Sequence, residues 1–125
     1  MAEKICLDTD ACIAVLKNDG KAEKLINAIA QCQVFVASIT VFELCLRKEN
    51  LDKIQSFLND VFVLDFDENS AVMASNIYKG LKAKGRLLDL RDIFIASAAI
   101  TNKCVLATFN QKHFSRITDL KLLDF

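Results

Sequence analysis

Short apolar runs alternate with helix-periodic stretches along almost the whole chain, and no proline interrupts them. Five runs read as strands: KICL (4–7), VFVA (34–37), VFVLDF (61–66), CVLA (104–107) and KLLDF (121–125). They are rich in Val, Leu and Phe without strict alternation, the pattern of strands covered on both faces. Between them, Ala22, Leu25, Ile26 and Ile29 share a helical face over 22–30, as do Leu51, Ile54, Phe57 and Leu58 over 51–58. The longest helix is expected over 68–84, where Val72, Met73, Ile77 and Leu81 recur at helical spacing and Gly85 supplies the stop. Residues 90–100, LRDIFIASAAI, are apolar nearly all round, which predicts a central buried helix. This alternation specifies an α/β fold, a mostly parallel sheet flanked by helices, in one domain over 1–125.

At 125 residues the chain can bury about two-thirds of its unfolded surface. No apolar run approaches the ~20 residues that span a bilayer, and no N-terminal signal region is present. The expectation is a cytoplasmic protein with no membrane attachment. Five cysteines cannot all pair and none forms a CxxC. Cys6, Cys12, Cys45 and Cys104 lie in apolar patterns and read as small buried hydrophobes in a reducing compartment. The formal net charge is zero, which argues against a global electrostatic footprint for nucleic acid. A local basic cluster remains, formed by Lys79, Lys82, Lys84, Arg86 and Arg91, and it reads either as a solvated helix face or as a binding rim.

The sequence LDTDACIAVLK places Asp8 and Asp10 directly after the first apolar run. Open α/β sheets put their ligands outside the carboxyl ends of the strands, so charge at this junction is informative. Three more polar positions fall at comparable junctions: Glu43, early in the helix after the second strand; Asp92, opening the buried helix; and Asn110, with His113 beyond it, after the fourth strand. A parallel sheet gathers these junctions on one edge, which predicts three carboxylates and an amide in one cleft. Purely structural readings stand beside this. Thr40-x-x-Glu43 matches a capping box, Asp89 and Asp92 suit the start of a helix, and Asp10 suits the cap of a helix beginning at Ala11. Asp8 has no helix of its own to cap in that reading, and is the least easily explained as structural.

Two carboxylates ~5 Å apart repel by roughly 3 kcal/mol at an effective dielectric near 20. Three in one cleft require shared protons, cations or a divalent metal, and no Lys or Arg lies inside the motifs next to Asp8 or Glu43. Oxygen ligands with open positions suit Mg²⁺ or Mn²⁺, which activate water and offset charge developing on a phosphoryl group.

In order and context, LDTD (7–10), SITVFEL (38–44), DIFIASAAI (92–100), ATFNQKHFSRI (107–117) and the closing LKLLDF make the chain resemble the PIN-domain family, in particular VapC-type toxins of toxin–antitoxin pairs. The resemblance implies a five-stranded sheet in the order 3-2-1-4-5 and a metal-dependent endoribonuclease. It implies Asp8, Glu43 and Asp92 around Mg²⁺ or Mn²⁺, homodimerisation, and a VapB-type antitoxin that blocks the cleft. Thr108 resembles the family's strand-end threonine, placed to orient Asp8 or Asp92, and Asn110 would support the geometry. The chain departs from the pattern at two places. Asp10 stands where Asn or Ser is common, and reads as a helix cap or an outer-shell acid. His113 stands where an acid is common, so the fourth acidic site is replaced; the imidazole reads as a metal or phosphate ligand or as an ordinary surface histidine. Arg86, Arg91 and Lys112 are the candidates for gripping the RNA backbone at the rim.

Two rival functions follow from the same residues. Asp8-Thr9-Asp10 also has the form of a haloacid-dehalogenase-type DxD with Asp8 as nucleophile, but the Ala11-Cys12 that follows does not suit that chemistry. The altered fourth site and neutral charge are also those of a catalytically weak or inactive PIN-fold binding module. The apolar residues of 22–30 and 51–58 serve the core, a dimer contact or an antitoxin groove, with core packing the default.

Overall fold

The computed structural model describes residues 2–125. Strand β1 (Lys4–Leu7) leads into helix α1 (Thr9–Lys17), a single 3₁₀ turn (Gly20–Ala22) and α2 (Glu23–Ile29). Strand β2 (Gln33–Ala37) runs directly into α3 (Ser38–Cys45), followed by α4 (Leu51–Asn59), β3 (Phe62–Leu64) and α5 (Glu68–Ala83). The chain continues through α6 (Leu90–Thr101), β4 (Val105–Ala107) and the short α7 (Gln111–Phe114).

The strands form a parallel sheet in the order β3-β2-β1-β4, so β1 is central, with Cys6 opposite Phe35 on one side and Leu106 on the other. Successive side chains of a strand point to opposite faces. Ile5 and Leu7 accordingly join the core beneath α1, α2 and α4, while Cys6 joins the one formed with α5 and α6. Both faces are covered, which is why the strand sequences do not alternate. α6 contributes Ile93, Ile95, Ala96, Ala98 and Ala99 to the second core, as its all-round apolar character requires. Its partner α5 ends as expected: Gly85 adopts φ 64, its N–H donates to the Lys82 carbonyl, and the Arg86 N–H donates to the Leu81 carbonyl. These are the two bonds of a Schellman stop. Among the described residues no helix is long and apolar enough to cross a membrane.

Three expectations need correction. Among the described residues the sheet has four strands, not five. Residues 121–125 lie beside β4 in the place of the fifth, but form a single parallel bridge, Leu106 to Leu122, through bonds of 2.8 Å on either side. Beyond it the Gln111 side chain donates to the Leu123 carbonyl and Phe125 packs edge-on against Phe109. The second correction concerns helix starts. α1 begins at Thr9 rather than Ala11, and its cap is Asp8 rather than Asp10. α3 begins at Ser38, so Thr40 and Glu43 lie within the helix and make no capping box. Third, Cys45 is exposed at the end of α3; Cys6, Cys12 and Cys104 are the buried thiols, and burial raises the pKa of each.

Candidate active site

Asp8 stands where β1 ends and α1 begins, 6% exposed. Its Oδ1 accepts the Ala11 N–H at 2.8 Å, which caps the helix, and its Oδ2 accepts the Thr108 hydroxyl from just past β4. Thr108 is itself fully buried and its Oγ1 accepts the Asn110 N–H at 3.0 Å. The β1–β4 pairing brings Asp8 and Thr108 together, since Leu7 lies opposite Ala107. Burial pushes the Asp8 carboxyl up to about 6; Thr108 and the Ala11 amide pull it down, and the charges of Asp10 and Asp92 raise it further.

Glu43 sits in the second half of α3, not early in it. The Thr9 hydroxyl donates to its Oε1 at 2.7 Å and lies 3.1 Å from the Thr40 hydroxyl. Arg91, in the first turn of α6, approaches Glu43 Oε2 at 3.4 Å and also bonds Asp89, the cap of that helix. Asp92, one residue on and half-buried, pairs with His113 Nε2 at 3.0 Å. The strand ends and helix starts of the sequence reading therefore do converge, but two of the three acids are engaged by a basic side chain. Among the described residues no three His, Cys, Asp or Glu side chains are gathered closely enough to hold a metal ion as they stand. The donor set nonetheless suits a hard divalent cation: it is carboxylate oxygen, and burial, with a smaller part from like charge in the cleft, raises the titration of Asp8.

The remaining candidates divide. Asp10 is exposed in the first turn of α1 and lines a groove with Lys17, Lys21, Phe109 and Asn110. Asn110 is also exposed, and its backbone N–H rather than its amide supports Thr108. His113 is drawn into the cluster through Asp92. Of the cations expected at the rim, Arg91 touches the acids, whereas Arg86 lies exposed in the α5–α6 connection and Lys112 is exposed on α7. Thr9 and Thr40 were not foreseen as site residues. Thr40 falls one turn before Glu43 on the same helical face, a spacing that also reads as a capping box and so conceals the contact.

Comparison with known proteins adds a decisive observation: the family model described as PIN domain matches residues 5–120. The chain belongs to the PIN domain family. This PIN domain is 29% identical over 129 residues to the tRNA(fMet)-specific endonuclease VapC of Shigella flexneri, with 98% of each chain covered. It is 30% identical over 127 residues to Ribonuclease VapC2 of Haemophilus influenzae, covering 94% of this chain and 95% of the relative. Among solved structures, it superposes with a TM-score of 0.86 and 26% identity on a chain of VapBC2 from Rickettsia felis bound to a DNA fragment from their promoter, 98% of each chain being covered.

Proposed function

We propose that this chain, acting as one PIN domain over 1–125, is a metal-dependent endoribonuclease and the toxin of a VapBC-type pair. Asp8, Asp92 and Glu43 would hold Mg²⁺ or Mn²⁺. The observation that carries this reading is the buried Asp8 carboxylate, fixed through both oxygens at the strand end; burial foremost, and to a lesser extent the charges of Asp10 and Asp92, raises its titration to about 6. A fold retains such an arrangement at a cost in stability, and a bound cation relieves it. The ribonuclease activities named for relatives that match over nearly the full chain support the substrate class.

A divalent cation held there supplies charge stabilisation at the phosphoryl group and eases ionisation of the attacking water. The chain's own residues set the geometry. Asp8 is fixed through both oxygens, by the Ala11 amide and by Thr108, and each oxygen keeps acceptor capacity. Glu43 is held by Thr9 and orients the attacking water or joins the ligands. Arg91, half-exposed at the rim, with Arg86 and Lys112, takes the RNA phosphates. Single-stranded or looped RNA is favoured, because unstacked bases are the ones proteins read. A VapB-type antitoxin that covers the cleft and a second copy of this chain complete the reading; the structural neighbour from Rickettsia felis is a chain of VapBC2 bound to promoter DNA.

The test is incubation of the purified chain with cellular RNA and Mn²⁺ or Mg²⁺, beside Asp8→Asn and EDTA controls. Discrete products lost in both controls are expected. A second reading, an inactive PIN-fold binding module, is favoured by the Arg91–Glu43 and His113–Asp92 pairs, which engage two of the acids with basic side chains. It predicts RNA or partner binding that survives Asp8→Asn, with no cleavage by either form.

A further inference from the structure

Thr40 is a buried hydroxyl at 0% exposure in the middle of α3, where valine would fill the same space without removing a polar group from water. Helical threonines commonly bond the carbonyl one turn back along their own helix. Thr40 instead reaches across to α1, its Oγ1 lying 3.1 Å from Thr9 Oγ1. Thr9 has one hydroxyl proton facing two acceptors, Thr40 Oγ1 at 3.1 Å and Glu43 Oε1 at 2.7 Å, and the shorter contact, to a carboxylate, takes it. Thr9 is also the residue after Asp8, in the first turn of a helix that the Asp8 carboxylate caps. The position of Glu43 is thereby tied to the position of Asp8 through one peptide unit, with Thr40 Oγ1 packed against the Thr9 hydroxyl as a second, longer acceptor. Arg91 takes the other Glu43 oxygen from the solvent side at 3.4 Å, but is itself half-exposed and shared with Asp89.

We propose that Thr9, buttressed by Thr40, is the positioning residue for Glu43: its hydroxyl fixes one carboxylate oxygen and leaves the other to exchange Arg91 for the cation or the attacking water. This rests on the nuclease reading above. A flexible glutamate with its oxygen already oriented needs less ordering at the moment of reaction, so the contact acts on turnover more than on RNA affinity.

The experiment compares wild type, Thr9→Val, Thr9→Ser and Thr40→Val in RNA cleavage with Mn²⁺, in Mn²⁺ affinity by electron paramagnetic resonance, and in thermal unfolding. In Thr9→Val, kcat is expected to fall roughly 10–100-fold, the usual effect of removing a group that orients a ligand. Its KM for RNA should stay near wild type and its Mn²⁺ affinity should weaken. Thr9→Ser, which restores the hydroxyl, should recover most of the kcat, and Thr40→Val should shift the same constants in the same direction by less. Wild-type kcat and Mn²⁺ affinity in Thr9→Val overturn the proposal. A parallel fall in kcat, KM quality and melting temperature that Thr9→Ser does not rescue marks a structural role and also overturns it. Should Thr9→Val not fold, Thr40→Val decides by the same criteria. A wild-type chain that neither cleaves nor binds Mn²⁺ overturns this inference together with the reading beneath it.

Discussion

Asp8 closes the first turn of α1 and feels the charges of Asp10 and Asp92, and one substitution separates its capping role from its proposed role as a metal ligand. Asn caps helices about as well as Asp, so Asp8→Asn should preserve α1 while abolishing cleavage. It should also change the pH dependence of stability. The folded carboxyl titrates near 6 against an ordinary 3.8, so between these values the unfolded chain loses a proton that the folded chain keeps. The stability associated with the protonated form is complete below about pH 4 and lost as pH rises through 6, by about 3 kcal/mol at most. Urea unfolding at pH 4.5 and pH 8 should show wild type weakening across that interval and Asp8→Asn changing less, with the variant the more stable at pH 8. A larger loss for the variant at pH 8 would refute the account. The position of Asp8 at a strand end was legible in the sequence, because an apolar run stops there. Its capping bond was not: Thr9 and Asp10 are poor helix formers by type, so the residue pattern places the helix start at Ala11.

At the scale of elements, the stop of α5 and the end of the sheet carry separable energies. Gly85 occupies the left-handed region at φ 64, and nothing lies within 4 Å of where a Cβ would stand. Gly85→Ala should therefore cost about 1–2 kcal/mol from backbone conformation alone, measurable as a shift in the urea midpoint at unchanged slope. Deleting residues 121–125 removes the two bonds flanking the Leu106–Leu122 bridge and the Phe109–Phe125 contact, and leaves β4 as a bare edge. Loss of stability and concentration-dependent association are expected, read by thermal unfolding and light scattering. Helices and the first four strands were readable because their apolar periods are set by burial on both sheet faces. The fifth run has the same composition as a strand, yet its Leu123 carbonyl goes to the Gln111 side chain rather than to a ladder, a contact no periodicity encodes. The misread box at Thr40 and Glu43 has a similar origin: i, i+3 spacing serves a cap and an interior face alike.

Across the whole molecule the charges sum to zero, so RNA affinity must come from a few rim cations rather than a general field. If Arg86, Arg91 and Lys112 make one phosphate contact each, the log–log salt slope for single-stranded RNA should be near −2. Measured with the Asp8→Asn chain to avoid cleavage, Arg91→Gln should make that slope shallower by about 0.7. A slope much steeper than −2 would require cations outside this rim. The order of the strands has a further consequence, in the timing of synthesis. β1, made first, is completed on one side only by β4, and Thr108 and α7 follow β4 near the other end of the sequence. While the ribosome is still adding that last stretch, Asp8 lacks its hydroxyl partner and the centre of the sheet lacks a neighbour. A chain of this topology assembles the surroundings of Asp8 only after β4 and Thr108 have been made.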